Sequence, residues 1–373
     1  MASFFPPRRL LMGPGPSDVP QRILDALARP TVGHLDPSFV GMMDELKLML
    51  RWAFKTENAL TIPVSGPGSA GMEACFVNLV EPGDTVIVCR NGVFGGRMRE
   101  NVIRTGGHAV MVEDEFSQPV DPAKVEAALR AHPGAKAVAF VHAETSTGAR
   151  SDAATLCRLA REHGALSIVD AVTSLGGSEV DVGGWGADAV YSGSQKCLSA
   201  PPGLSPLTFS PRAAEAVKAR KTPVQSWFLD LSLVMSYWDG TGRRSYHHTA
   251  PINMLYGLHE ALVMLQEEGL EAAWARHQAN HERLRDGLQQ LGLGLLVDER
   301  YRLPQLNAVI VPEGVAEAGV RAQLLDQHGI EIGAGLGPLA GKIWRVGLMG
   351  ASSRPEAVDR LLQALGEILA RRA

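Results

Sequence analysis

From residue 60 to residue 210, short β-branched runs alternate with longer segments that read as amphipathic helices. The strand candidates are Leu60–Val64, Thr85–Cys89, His108–Val112, Ala137–His142, Leu166–Asp170, Ala189–Ser192 and Leu207–Ser210. Helix candidates Ala70–Val80, Phe94–Thr105, Pro122–Ala131 and Ala153–His163 lie between several of them. Such alternation predicts an α/β fold with a large domain built on a mostly parallel sheet flanked by helices, where functional groups collect at the C-terminal ends of the strands.

After Pro251 the texture changes. A charged, Leu- and Ala-rich helical stretch from Leu255 to Gln290 leads to Gln305–Val311, a helix around Gly319–His328, Ile343–Gly347 and a final helix from Pro355 to Ala370. This reads as a smaller α+β C-terminal domain hinged on the Leu255 helix. The expected organisation is an N-terminal arm (1–20), a large domain (21–254) and a small domain (255–373), in keeping with 373 residues at roughly 100–200 per domain.

Several classes of protein are disfavoured. No apolar run approaches the ~18–20 residues that cross a bilayer, so no membrane partner is expected. Leu10-Leu11-Met12 runs straight into Gly13-Pro14-Gly15-Pro16, which leaves no signal-peptide core, and Arg371-Arg372-Ala373 is not a peroxisomal address. The cytoplasm is the expected compartment. A formal charge of −4 without a basic stripe argues against a nucleic-acid partner. Cys75, Cys89, Cys157 and Cys197 are widely spaced in mostly apolar surroundings, which fits buried thiols better than a disulfide framework or a zinc site.

Gly66-Pro67-Gly68-Ser69-Ala70-Gly71 matches G-x-G-x-x-G, follows a strand and opens a helix. A dinucleotide fingerprint has this pattern. The next strand, however, ends in Arg90-Asn91-Gly92 rather than in an acidic residue that would grip a ribose. What remains is a phosphate cradle, in which glycines let backbone N–H groups approach and the helix N-terminus adds partial positive charge; a plain Gly-rich turn is the alternative.

Asp170 ends one strand candidate, and Lys196 follows the end of another. In one parallel sheet the carboxylate and the amine emerge at the same edge as the Gly66 loop. Lysine is scarce, with eight against 28 arginines, and Lys196 alone sits among Ser, Gly and Pro residues rather than in an ordinary helix or loop context. An amine, a carboxylate able to pair with a pyridinium nitrogen and a phosphate cradle are what pyridoxal phosphate requires. His247 and His248 suggest no metal, since no third ligand lies near them in sequence.

The segment from Ser192 to Gly203, Ser-Gly-Ser-Gln-Lys-Cys-Leu-Ser-Ala-Pro-Pro-Gly, resembles the cofactor-lysine segment of the class V aminotransferases, in their alanine/serine–glyoxylate branch. Gly13-Pro14-Gly15-Pro16-Ser17, Glu144-Thr145-Ser146-Thr147-Gly148, Val169-Asp170-Ala171-Val172, Tyr246-His247-His248-Thr249 and Trp344-Arg345-Val346-Gly347 match in the same order. The resemblance spans nearly the whole chain and implies the pyridoxal-phosphate-dependent transferase fold type I. It also implies that Lys196 holds the cofactor and shuttles a proton, while Asp170 binds the ring nitrogen. Val172 and Phe94 would cover the two ring faces, and Thr145 would bond near the ring hydroxyl. Gly68, Ser69 and Ala70 at the helix head, with Gln195, would contact the phosphate. Tyr246 and Thr249 would reach the phosphate of the other subunit of a homodimer, and Arg345 would clamp the substrate carboxylate with its bidentate fork. Pro67 and Ser69 stand where some relatives carry Ser and His, and Phe94 where several carry Trp.

The activity implied is transamination from a small amino acid, alanine or serine, to glyoxylate or pyruvate. Ureidoglycine or another donor is the alternative within the family. A cysteine desulfurase would need a reactive cysteine in the C-terminal part, yet no Cys follows Cys197, and Gln195 precedes Lys196 in place of the usual His. A non-catalytic protein that keeps the cofactor is the remaining alternative.

Overall fold

The computed structural model describes residues 1–239 and 244–371. Its centre is a seven-stranded sheet. In chain order the strands are β1 (Leu60–Ser65), β2 (Thr85–Arg90), β3 (His108–Glu113), β4 (Ala137–Val141), β5 (Leu166–Asp170), β6 (Ala189–Tyr191) and β7 (Leu204–Phe209). In space the order is β1-β7-β6-β5-β4-β2-β3. Every neighbouring pair from β6 to β3 is parallel, and only β7 runs against its neighbours.

Burial explains the sequence texture of the middle strands. All residues of β4 and β5 are buried, as both faces of a parallel sheet are covered by helices. The covering helices are amphipathic. Ala153–Glu162, for example, buries Leu156, Cys157, Leu159 and Ala160 and starts on Asp152, whose carboxylate accepts from Thr155 N–H at 3.1 Å. All four cysteines are buried and unpaired.

The expected strands and helices of this region are present, with two informative differences. Strand β7 begins at Leu204 rather than Leu207, because Pro206 is tolerated inside the sheet. It lies opposite Pro63, and its carbonyl still accepts from Ser192 N–H on the β6 side at 2.7 Å. The helical stretch expected from Leu255 to Gln290 is two helices, Ile252–Glu268 and Leu270–Gln290, divided at Gly269, whose φ of +86° only glycine adopts readily. A helix over Pro37–Phe54, capped by Asp36, lies outside the sequence reading.

Two main apolar cores form. The large one runs from Phe39 through the sheet and takes in Leu255, Leu258, Leu262, Leu265, Leu270 and Ala273. The smaller one gathers Leu284, Leu288, Val309, Val320, Trp344, Val346, Leu361 and Leu365 around a three-stranded antiparallel sheet in the order Leu306–Ile310, Ile343–Gly347, Gly333–Ala334. The cores therefore divide within the helix Leu270–Gln290, further along the chain than residue 254. The N-terminal arm belongs to the smaller core: Leu10 and Met12 are buried in it, and Leu10–Leu11 pairs in parallel with Ile330–Glu331. Among the described residues no helix is long and apolar enough to cross a membrane.

Candidate active site

Strands β1, β5 and β6 deliver their C-terminal ends to one edge of the sheet. Asp170 closes β5 directly opposite Tyr191, the last residue of β6. Its Oδ2 accepts from the Tyr191 hydroxyl at 2.7 Å, and its Oδ1 accepts from Val172 N–H at 2.9 Å. Burial raises the carboxyl pKa to about 6, against the two donors and the nearby Lys196 charge, all of which favour ionisation.

Lys196 lies on the loop between β6 and β7. This loop is stitched down by its own serines: Ser192 Oγ donates to Ala171 O at 3.0 Å and Ser194 Oγ to Pro201 O at 2.6 Å. From the arm, Ser17 Oγ donates to Lys196 O at 2.8 Å. The Lys196 amine donates to Pro14 O. Burial, followed by the neighbouring Arg345 charge, lowers its pKa to about 8, so the amine is partly neutral near physiological pH.

The helix Gly68–Leu79 begins at the same edge. Its N-cap is Pro67, which offers no side-chain acceptor, and its first turn contains no acidic residue. Ala70 N–H donates to Pro67 O at 2.7 Å, and the N–H groups of Gly68 and Ser69 keep the positive end of the helix available for an anion. A Cβ on Gly68 would lie 3.1 Å from Val172 Cγ2 and 3.4 Å from Ser192 O, so the helix head is pressed against the segment that follows Asp170. Gln195 has a buried side-chain Oε1 without a partner. A polar group left over beside an uncapped helix head, with an amine and a held carboxylate at the same edge, fits a phosphate-bearing aldehyde with a basic ring.

Phe94 stands in the first turn of the helix Val93–Arg104, with the Arg97 guanidinium 4.7 Å from its ring centroid. Thr145 is buried, its hydroxyl 2.6 Å from that of Thr173. Arg345, at the centre of the strand Ile343–Gly347, is buried; its Nε donates to Ala334 O at 2.6 Å and its Nη1 to Thr145 O at 3.2 Å. Those two carbonyls fix the plane of the guanidinium and leave further donors for a carboxylate.

Lys196, Asp170, Val172, Gln195, Gly68, Ser69, Ala70, Thr145 and Arg345 are thus tied together by strand ends, direct contacts or electrostatic coupling. Tyr246 and Thr249 are not tied to the others directly. Tyr246 is 60% exposed, and its hydroxyl is 3.4 Å from that of Thr249. The intervening His248 Nε2 is 2.8 Å from Ser65 Oγ, at the root of the Gly66 loop, and its Nδ1 is 2.8 Å from His247 Nδ1.

Three residues carry more than the sequence reading gave them. Tyr191 holds Asp170. Glu144 is fully buried, with Oε1 accepting from Ser146 N–H and Oγ–H and Oε2 unpartnered; burial raises its pKa to about 7. Pro14 accepts from the Lys196 amine. The signal for Tyr191 was its place at a strand end beside Asp170, whereas Pro14 acquires its neighbour only through tertiary packing, and Glu144 takes its hydrogen bonds from the nearby Ser146 but its burial from the fold around it.

Comparison with known proteins gives a consistent result. The family model described as Aminotransferase class-V matches residues 10–355. The chain is 39% identical to (S)-ureidoglycine–glyoxylate transaminase of Bacillus subtilis, over 98% of this chain and 91% of that protein. It is 40% identical to alanine–glyoxylate aminotransferase of Oryctolagus cuniculus, over 97% of this chain and 93% of that protein. The crystal structure of alanine–glyoxylate aminotransferase from Nostoc sp. superposes with a TM-score of 0.97 at 47% identity, covering 99% of this chain and 97% of that one.

Proposed function

Because this chain belongs to the class-V aminotransferase family, we propose that it is a pyridoxal-phosphate-dependent transaminase that moves the amino group of a small amino acid to glyoxylate or pyruvate. The observation that carries this reading is the convergence of the Lys196 amine, the Asp170 carboxylate and the Arg345 guanidinium beside an uncapped helix head. When bound, pyridoxal phosphate supplies an electron sink for the carbanion formed at the substrate α-carbon.

The chain's own residues supply the rest. Asp170, held by Tyr191 and Val172, keeps a negative charge available for the ring nitrogen. Gly68, Ser69, Ala70 and Gln195 would hold the phosphate, Val172 and Phe94 would cover the ring faces, and Thr145 would bond at the ring's edge. Arg345 orients the substrate carboxylate. The Lys196 amine, neutral in a useful fraction of molecules, takes the α-proton and returns it.

Alanine or serine and ureidoglycine are the donors to be distinguished, since the chain is almost equally identical to the ureidoglycine and the alanine enzymes named above. A homodimer accounts for Tyr246 and Thr249 as ligands of the partner subunit's cofactor phosphate. Supporting it, Trp227 (63% exposed) stacks 4.4 Å from His247, the residue that follows Tyr246, and Phe228 (40%) lies 6.1 Å from the same ring. Four unpaired cysteines suit a reducing compartment such as the cytoplasm.

The test is direct. Protein loaded with pyridoxal phosphate should be yellow, borohydride should fix the label on the peptide containing Lys196, and a panel of donors with glyoxylate and pyruvate should show turnover that Lys196→Ala abolishes. A label at another lysine would overturn the assignment.

A further inference from the structure

The Gly13–Ser17 segment of the arm runs between the two parts of the site. Met12 O accepts from Gly347 N–H at 2.7 Å, two residues beyond Arg345, and Ser17 N–H donates to Gln195 O at 3.0 Å, next to Lys196. Close approach along this path depends on missing side chains. A Cβ on Gly347 would lie 1.9 Å from Gly13 O, and one on Gly15 would lie 2.6 Å from Lys196 Nζ. A Cβ on Gly333 would lie 2.5 Å from Pro14 Cδ. Gly333 is the direct cross-strand partner of Arg345.

Pro14 therefore touches Lys196 on one side and the strand paired with Arg345 on the other. Its carbonyl meets the Lys196 amine, and its ring rests on the strand beside Arg345. An α-amino acid that places its carboxylate on Arg345 and its α-proton before Lys196 has its α-carbon fixed between them, one bond of about 1.5 Å from the carboxylate carbon. The side chain then leaves the α-carbon next to the Pro14–Gly15 segment. That wall is a proline ring with a fixed φ and a bare glycine backbone, neither of which has a rotamer that can swing away.

We propose that Pro14 and Gly15 are the specificity-determining wall of the donor subsite, admitting small side chains and excluding branched or aromatic ones. This rests on the transaminase reading above. The arm is held on one side by Gly347 and on the other by the Lys196 loop, so the wall is as rigid as the two anchors it spans.

The holoenzyme tests this with two opposed variants. Pro14→Gly keeps the carbonyl and removes the ring, and should raise the ratio of kcat/KM for leucine over alanine by roughly tenfold or more. Gly333→Ala pushes Pro14 into the subsite and should lower the ratio for alanine over glycine. General loosening of the fold would depress all donors together and leave both ratios alone. Calorimetric titration of the protein with acetate and with 4-methylpentanoate gives a readout that needs no turnover: Pro14→Gly should narrow the preference for acetate. Unchanged ratios and unchanged carboxylate preference would overturn the proposal. Wild-type protein that turns over no amino acid would instead remove the transaminase reading, with the carboxylate titration still deciding what Pro14 does.

Discussion

The Tyr191 hydroxyl reaches across from β6 to donate to Asp170 Oδ2 at 2.7 Å, so the carboxylate is oriented by a buried phenol from the neighbouring strand. A hydrogen bond to a charged group is worth about 1.5–3 kcal/mol. Tyr191→Phe should weaken cofactor affinity by roughly tenfold or more, read by fluorescence titration of cofactor-free protein. Asp170→Asn removes the charge itself and should cost at least about 100-fold in kcat. Wild-type affinity in Tyr191→Phe would show that Val172 N–H alone fixes the carboxylate.

The Lys196 amine should be unusually reactive before any cofactor is added. With its pKa lowered from 10.5 to about 8 by burial and the Arg345 charge, it is largely deprotonated above pH 8 while ordinary lysines remain charged. Labelling with acetic anhydride across a pH series, followed by peptide mapping, should give half-maximal modification of Lys196 near pH 8. A midpoint near 10.5 would mean that the amine is solvated.

Arg345→Lys keeps the charge and loses the fork. The guanidinium is held by Ala334 O and Thr145 O with donors to spare, a geometry that an ammonium cannot copy. Losing one charge-assisted bond of about 1.5–3 kcal/mol predicts a fall of roughly 10- to 150-fold in kcat/KM, mostly in KM for the donor. An unchanged KM would place the substrate carboxylate elsewhere.

His142 makes the fold sensitive to acid. It is buried edge-on against Trp185, its Nδ1 lies 3.0 Å from Ser174 Oγ, and burial, with the Arg150 charge adding to it, lowers its pKa from 6.5 to about 3. In the unfolded chain the ring protonates below pH 6.5, so the native state loses stability as the pH falls from there toward 3. At pH 5 the loss is about 2 kcal/mol from this residue. The raised carboxyls of Glu144 and Asp170 act in the opposite direction above their ordinary values, so the informative quantity is a difference. Between pH 7 and pH 5 the stability change read by chemical denaturation should be about 2 kcal/mol more favourable in His142→Gln than in the wild type, and equal changes would refute the assignment.

The exposed aromatic face around Trp227 and Tyr246 predicts self-association. Sedimentation should give a dimer for the wild type and a shift toward monomer for Trp227→Glu, with cofactor affinity falling alongside. A monomeric wild type would remove Tyr246 and Thr249 from the site.

Much of this was legible in the sequence for physical reasons. Buried strands carry short runs of β-branched and aliphatic residues, so the parallel strand Leu166–Asp170 and the antiparallel strand Ile343–Gly347 could both be bounded to the residue. Helices opened by Asp121 and Asp152 announce their starts. Pro206 disguises the start of β7, and a single positive-φ residue at Gly269 leaves the helical pattern on both sides of the break intact. Lys196 stood out by its neighbours. The setting of Glu144, by contrast, arises from Ser146, Gly92 and the helix after them, a conjunction no local pattern records.

The reversal of β7 has a consequence for how the lysine loop breathes. Because β6 and β7 are antiparallel neighbours, the loop from Ser192 to Gly203 is a hairpin tip whose ends are locked side by side, with Ser194 N–H donating to Leu204 O at 3.0 Å and Ala200 N–H to Ser194 O at 3.1 Å. Opening it means unzipping the sheet itself rather than lifting a flap. Deuterium should therefore enter these two amides at the pace of the sheet interior, far more slowly than in the connections that cross over through helices.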